Sequence, residues 1–179
     1  MQKHLTHTAQ SQQTGEVGVQ LAEQLGQLLR SAKLTITTAE SCTGGLIAAA
    51  ITDIAGSSEW FEQGAITYSN EAKHSLLGVG QNIFDTHGAV SQNCVDAMAK
   101  GALRKSGADI AIAVSGIAGP GGATEGKPVG TVWLCWAWAD KKLCDAELFH
   151  FAGNRQKVRQ LAVLAALHGT IARIEKFGN

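Results

Sequence analysis

The chain has 179 residues, of which 45% are hydrophobic, and its 15 basic and 15 acidic side chains give a formal net charge of zero. Without a basic stripe, a nucleic-acid partner is not expected, and no stretch reaches the roughly 18 uninterrupted apolar residues of a membrane helix. The N-terminus lacks the apolar centre of a signal peptide, so the sequence predicts a cytoplasmic protein with no membrane partner.

The N-terminal part divides into a polar arm and an amphipathic helix. Residues 1–15 are rich in Gln, Thr and His and predict a flexible arm, and we expect 16–179 to form a single domain. Between about 16 and 30, apolar residues recur at helical spacing, which predicts the first helix. They are Val17, Leu21, Leu25, Leu28 and Leu29.

A predicted strand at 34–38 and a predicted apolar helix at 46–51 enclose a turn rich in reactive groups. The turn contains Glu40, Ser41, Cys42, Thr43, Gly44 and Gly45. Because the free N–H groups of a helix point back at the preceding turn, such a turn can bind an anion or a developing oxyanion. A simple capping turn is the alternative interpretation. We favour a site, with the Thr43–Gly45 N–H groups as oxyanion donors and Glu40 beside the substrate.

A second strand, predicted at 64–68, leads into a helix that reaches residue 77. Ser69 or Asn70 would cap this helix and Gly78 would end it. The preceding Trp60–Phe61 pair is expected on a short helical piece, packed into the core. Since ligands gather outside the carboxyl ends of strands in open α/β sheets, Tyr68, Asn70 and Lys73 are candidate site residues near Ser41. A half-buried aromatic and a solvated lysine are the alternatives.

Residues 86–90 predict a turn, 92–105 a helix and 109–114 a strand that is buried on both faces. The strand leads into a glycine-rich loop at 115–123, which includes Ser115, Gly116 and Gly119. Long glycine loops inside a compact domain are usually functional, so we expect these three residues to approach a ligand.

Residues 121–127 match the beginning of a phosphate-binding loop, G-x-x-x-x-G-K. Pro128 occupies the place of the Ser or Thr that would hold magnesium, and a predicted strand follows in place of the required helix. The sequence therefore argues against a nucleotide triphosphatase.

The segments 129–139 and 143–150 predict an antiparallel hairpin at one side of the sheet, with tryptophans on both of its faces. Such an exposed hairpin favours self-association as a dimer or higher oligomer. Cys135 and Cys144 could face each other across this hairpin, but without paired-cysteine or histidine spacings we expect buried apolar thiols and no metal site. A final helix follows, and Arg155 in its first turn opposes the helix dipole, so that it is suited to a phosphate or carboxylate.

Several motifs together resemble the C-terminal domain family of the competence-damage-inducible protein CinA. They are 38–45 (TAESCTGG), 66–73 (ITYSNEAK), 88–91 (GAVS), 116–122 (GIAGPGG) and 127–132 (KPVGTV), and the resemblance covers about 17–174. It implies a three-layer α/β/α fold with a mixed, mostly parallel sheet. It also implies hydrolysis of nicotinamide mononucleotide to nicotinic acid mononucleotide and ammonia, without a cofactor.

The same resemblance implies roles for individual residues. Ser41 would be the nucleophile, Lys73 its general base, Tyr68 an assisting group and Arg155 a substrate-binding cation. At position 115 the family more often has threonine, and Ser115 retains the hydroxyl. The chemistry agrees, because a serine needs a nearby base and a lysine can serve when burial lowers its pKa.

Two alternatives stay open at this point. Cys42 could be the nucleophile in place of its neighbour, since thiolates attack more readily than hydroxyls. Alternatively, the pocket could belong to a non-catalytic, nucleotide-binding or regulatory module.

Overall fold

A five-stranded mixed sheet organises the part of the chain that the computed structural model describes, residues 2–140 and 143–177, with side chains from residue 15 onwards. The strands are β1 (Ile36–Glu40), β2 (Phe61–Ile66), β3 (Ile110–Gly116), β4 (Thr131–Trp138) and β5 (Cys144–His150). Their order is β2-β1-β3-β4-β5. Strand β1 pairs in parallel with β2 and β3, whereas β4 is antiparallel to both β3 and β5. Four of these strands therefore run in one direction.

Helices cover both sides of the sheet and complete the expected three layers. They are α1 (Gln2–Ala32), α2 (Leu46–Thr52), α3 (Asn70–Leu77), α4 (Gln81–His87), α5 (Gln92–Ser106) and α6 (Arg155–Phe177). Helices α1, α2 and α6 pack on one another on one side, and α3, α4 and α5 pack together on the other. The predicted α/β/α architecture is confirmed. Among the described residues, no helix is both long and apolar enough to cross a bilayer.

The sheet presents side chains of different size to its two helical layers. The large-residue face, against α1, α2 and α6, carries Ile36, Ile110, Ile112, Val114, Val132, Leu134, Trp136 and Trp138. The small-residue face, against α3, α4 and α5, carries Ala39, Ala111, Ala113, Cys135 and Ala137. Because successive side chains of a strand point to opposite faces, the alternation in β3 places large and small residues on opposite sides.

Three local expectations differ from the structure. Helix α1 begins at Gln2, well before residue 16, since no proline interrupts this stretch. The flexibility of the 1–15 arm stays a prediction, because the side chains up to residue 14 lie outside the described ones. Helix α4 occupies 81–87, part of which was expected to be a turn. Phe61 begins β2, and the short helical piece before it is a 3-10 turn at Ser57–Glu59.

The hairpin of β4 and β5 is covered by its own chain. Trp136 is fully buried, and its indole N–H donates to the carbonyl of Ala166 and to Thr170 in α6. Trp138 is also buried and packs edge-on against Phe177 at the end of α6. These tryptophans therefore give no reason to expect self-association, and the oligomeric state stays a prediction without that argument.

Candidate active site

Ser41 and Lys73 meet at the carboxyl ends of β1 and β2. Ser41 follows directly after β1, and its side chain is only 8% exposed. Lys73 lies one turn into α3, where Ser69 caps the helix by accepting a hydrogen bond from the N–H of Ala72. Nζ of Lys73 lies 3.0 Å from Oγ of Ser41, within hydrogen-bonding reach. The structure thus brings together the two side chains predicted to be nucleophile and base.

The side-chain nitrogen of Lys73 is enclosed by main-chain acceptors. It donates to the carbonyl of Thr67 at 2.8 Å and more weakly to the carbonyl of Tyr68 at 3.5 Å. Lys73 is 1% exposed, and among the described residues it has no carboxylate partner. Burial is the main cause that lowers the pKa of Lys73 below its ordinary value of 10.5. A neutral amine is therefore accessible at lower pH than for a solvent-exposed lysine.

Glu40 supports the turn from the opposite side of the sheet. Its carboxylate accepts hydrogen bonds from the N–H groups of Gly45, Ile47 and Ala48 at 2.8 to 3.1 Å. These contacts occupy both carboxylate oxygens at the start of α2, and Glu40 is 1% exposed. A negative charge at a helix N-terminus also offsets the helix dipole. The geometry supports a structural role for Glu40, in place of the expected contact with substrate.

The two glycines of the turn have backbone conformations that other residues rarely adopt. Gly44 has a φ of 62° and Gly45 a φ of 95°, both in the left-handed region. The N–H of Gly44 donates to the carbonyl of Ser41, and that of Gly45 to Glu40. Because both N–H groups are already engaged, the expected oxyanion donors at these two glycines are not free. The hydroxyl of Thr43 is fully buried and unpaired among the described residues, and a substrate contact from it stays a prediction.

Arg159, which the sequence reasoning missed, fixes the same turn. Its Nε donates to the carbonyl of Cys42 at 3.1 Å, and its Nη2 donates to the carbonyl of Thr43 at 2.7 Å. This arginine lies in α6, 116 residues beyond Thr43. Helical spacing from Arg155 was the available signal, because residues four apart in a helix share a face.

Tyr68 and Arg155 form a pair at the rim of the site. Nη2 of Arg155 donates to the phenolic oxygen of Tyr68 at 2.7 Å, and Nη1 donates to the carbonyl of Gly119 at 2.9 Å. Tyr68 is 59% exposed, so its ring faces solvent while its carbonyl faces Lys73. Arg155 thereby joins the loop after β2 to the glycine-rich loop after β3.

The remaining predicted residues surround this centre less closely. Ser115 is buried and donates its hydroxyl to the carbonyl of Ala89 at 2.7 Å, so it holds the loop before α5. At Gly116 a side chain would collide with the backbone of β4, which explains the glycine as a packing requirement. Asn70 is exposed in the first turn of α3, and contacts of Asn70 and Gly119 with a substrate stay predictions.

Cys42 is poorly placed to replace Ser41. It is 6% exposed and packs into the core on the large-residue side. Burial is the main cause that raises the pKa of the Cys42 thiol to about 11, so little thiolate exists at neutral pH. The structure favours the serine over the thiol as nucleophile.

Comparison with known proteins gives concordant matches. The family model described as the CinA C-terminal domain matches residues 18–174. A nicotinamide-nucleotide amidohydrolase PncC from Enterobacter agglomerans is 48% identical over 157 residues, covering 88% of this chain and 95% of the relative. The protein of the same name from Pseudomonas putida is 53% identical over 151 residues, covering 84% and 93%.

A solved structure has the same fold. The competence damage-inducible protein A from Klebsiella pneumoniae superposes with a TM-score of 0.86 at 38% identity, covering 89% of this chain and 98% of that one. The sequence matches and the structural match therefore cover the same region of the chain.

Proposed function

Because the chain belongs to the CinA C-terminal domain family, we propose that it is a nicotinamide-nucleotide amidohydrolase, which converts nicotinamide mononucleotide to nicotinic acid mononucleotide and ammonia. The observation that carries the mechanism is the 3.0 Å contact between Nζ of Lys73 and Oγ of Ser41. A hydroxyl is a weak nucleophile unless a base removes its proton during attack. Here a buried lysine occupies the base position, and no histidine of the described residues hydrogen-bonds to Ser41.

The first half-reaction transfers the acyl group to the serine. Neutral Lys73 accepts the proton of the Ser41 hydroxyl while Oγ attacks the carboxamide carbon of the pyridine ring. The resulting tetrahedral oxyanion collapses, the C–N bond breaks, and the ammonium of Lys73 returns its proton to the departing nitrogen. Ammonia leaves and an ester joins the pyridine carbonyl to Ser41.

The second half-reaction hydrolyses this ester. Lys73 accepts a proton from a water molecule as the water attacks the acyl carbon, and then returns a proton to Oγ of Ser41. Nicotinic acid mononucleotide is released and the starting state is restored. One lysine therefore acts as base and then as acid in each half-reaction.

The hydrogen-bond partners of Lys73 suit both protonation states that the two half-reactions require. A neutral primary amine has two N–H groups and one lone pair, and the carbonyls of Thr67 and Tyr68 provide two acceptors. When these acceptors take the two N–H groups, the lone pair faces Oγ of Ser41. The same carbonyls stabilise the ammonium that forms during attack, so both protonation states have hydrogen-bond partners.

Arg155 is the candidate group for the substrate's phosphate. It is exposed at the N-terminal end of α6 and lies beside the site through Tyr68. An arginine presents a planar fork of donors that fits phosphate oxygens. Releasing its contact with the carbonyl of Gly119 would leave Nη1 available to the ligand while Tyr68 keeps Nη2 oriented.

Ammonia release from nicotinamide mononucleotide tests the proposal, with Ser41→Ala compared against the adjacent Cys42→Ala. We expect Ser41→Ala to lose at least about 10³-fold in kcat, because the covalent route is removed. Cys42→Ala should keep activity within a few-fold. Retained activity in Ser41→Ala, or its loss only in Cys42→Ala, would contradict the serine mechanism. Tight binding of the nucleotide without turnover would favour a regulatory module instead.

A further inference from the structure

Three side chains with metal-binding atoms meet between α5 and the β4–β5 hairpin, on elements that supply neither Ser41 nor Lys73. Sγ of Cys135 in β4 lies 2.8 Å from Sγ of Cys144 in β5. Sγ of Cys144 lies 3.4 Å from Oδ1 of Asp96 in α5. One ligand atom from each residue lies within 4.8 Å of the other two. The proposed hydrolysis uses none of these groups.

The separation of the two sulfur atoms lies between the values expected for the two ways of joining them. A disulfide bond is about 2.05 Å long, and two thiolates bound tetrahedrally to one zinc ion are about 3.7 Å apart, since each Zn–S bond is about 2.3 Å. The observed 2.8 Å lies between these values. Both cysteines are free thiols, so the pair is held without a covalent bond.

The register of the hairpin favours a metal over a disulfide. Cys135 is opposite Ala146 and Cys144 is opposite Ala137, so the cysteines are diagonal neighbours on one face. The Cα atoms of diagonal neighbours are typically about 7–8 Å apart, which exceeds the range of about 4.4–6.8 Å for disulfides. A metal ion between the sulfurs spans a wider gap than a direct bond.

The carboxylate of Asp96 supplies the third ligand at a suitable spacing. A sulfur and an oxygen on one tetrahedral zinc ion are about 3.5 Å apart, and the observed Cys144–Asp96 separation is 3.4 Å. A disulfide would have no use for this carboxylate. Two thiolates and one carboxylate are a donor set that suits zinc, and a water molecule can complete the tetrahedron.

We propose that Asp96, Cys135 and Cys144 form a binding site for one thiophilic divalent cation, with Zn²⁺ as the preferred ion. Both thiols lose their protons on binding, so each ion bound releases two protons to solvent. The ion ties the edge strand β5 to the helix α5, and its role is structural.

Burial and access are consistent with this assignment. Cys135 is fully buried, while Cys144 and Asp96 are half-buried and form the entry from solvent.

The test is titration of the untagged protein with Co²⁺ and then Zn²⁺ under reducing conditions. Bound Co²⁺ gives a near-ultraviolet charge-transfer band only when thiolates are ligands, which excludes binding to surface histidines. We expect one Co²⁺ per chain, displaced by one Zn²⁺. The band should disappear in Cys135→Ser and Cys144→Ser, and affinity should fall roughly tenfold or more in Asp96→Asn.

Two control variants distinguish loss of the metal site from a general effect of substituting a cysteine or an aspartate. Cys94→Ser removes another buried thiol of the same layer, and Asp145→Asn removes the carboxylate next to Cys144, which pairs with Arg173 instead. Both should keep the band and the affinity. At the same zinc concentration, zinc should also raise the Tm of the wild type more than that of Asp96→Asn, which tests the assignment if a cysteine variant misfolds.

Three results would overturn the proposal. They are the absence of a thiolate band in the wild type, a band that persists without Cys135 or Cys144, and a Cys135–Cys144 disulfide that forms in the presence of excess zinc. None of them bears on ammonia release, so the metal site and the amidohydrolase proposal fail or stand separately.

Discussion

The two faces of the sheet differ in the size of their side chains and in the chemistry that they carry. On the large-residue face, Ile110, Ile112 and Val114 of β3 meet the long helices α1 and α6 in an apolar core. On the small-residue face, Ala111 and Ala113 of the same strand lie under α5. Ser41, Lys73 and Cys135 belong to this second side. The larger apolar cluster lies on one face, and the reactive groups lie on the other.

The close packing of the small-residue side explains how a lysine can be buried there. A side chain at Gly101 of α5 would approach the carbonyl oxygen of Leu77 to 2.1 Å, so α5 and α3 nearly touch through their backbones. This proximity buries Lys73, whose nitrogen contacts main-chain carbonyls and Oγ of Ser41. On the large-residue side, Glu40 and Arg159 hold the backbone of the turn around Ser41 by hydrogen bonds. Neither side chain faces Lys73.

The largest effect is expected for Lys73→Met, which removes the proposed base but keeps an apolar side chain of similar length. Ammonia release should fall by about 10⁴-fold, the upper range for loss of general acid–base catalysis. Unfolding by denaturant should show a stability equal to or above that of the wild type, because the cost of burying an amine is removed. Activity that survives, or a marked loss of stability, would contradict the assigned role.

The same lysine gives a pH dependence whose sign is fixed. Since burial lowers the pKa of Lys73 below 10.5, activity should rise as pH increases through the lowered value. Between that value and 10.5 the unfolded chain binds more protons than the folded one, so the wild type gains stability with pH in this window. Lys73→Met serves as the control and should lack this gain.

On the large-residue face, Trp136→Ala should destabilise the protein by about 3–5 kcal/mol, because it leaves a cavity and removes the indole hydrogen bond to Thr170. Denaturant unfolding measures this change. At protein concentrations and temperatures where the variant is folded, kcat should stay within a few-fold of the wild type. A loss of kcat in the folded variant would show that the two faces are coupled more tightly than their contacts indicate.

The smallest effect is expected for Ala113→Val, which enlarges one residue of the small-residue face. Overpacking should destabilise the chain by about 1–3 kcal/mol, and a shift of α5 should lower kcat together with stability. The neighbouring Ile112→Val is the matched control on the opposite face, with an expected loss of about 0.5–1.5 kcal/mol and unchanged kcat. Equal effects of both on kcat would contradict the division between the faces.

The sequence predicted those features that depend on local pattern or on several motifs together. The strand–turn–helix around Ser41, the cap at Ser69 and the hairpin of β4 and β5 follow from spacing and residue type. Helix α4 was missed because seven residues are too few for an apolar repeat to emerge. Glu40 was interpreted as a ligand for substrate, since the sequence gives no sign that its carboxylate folds back onto α2.

Contacts between residues that are far apart in the sequence could not be predicted from local patterns. Arg159 and the turn at Cys42 are 117 residues apart, and nothing local links them. Likewise, the cover that α6 gives to Trp136 depends on how the last helix crosses the sheet. The approach of Asp96 to Cys144 spans 48 residues and arises only when α5 packs on the hairpin.

The position of Arg159 has a consequence for the order of events during biosynthesis. The turn that carries Ser41 emerges from the ribosome early, but the guanidinium that fixes its carbonyls belongs to the last helix of the described fold. During synthesis, Ser41 is therefore present long before Arg159 is available to hold its turn. The described geometry of this turn is therefore complete only after the last described helix has been made and has packed.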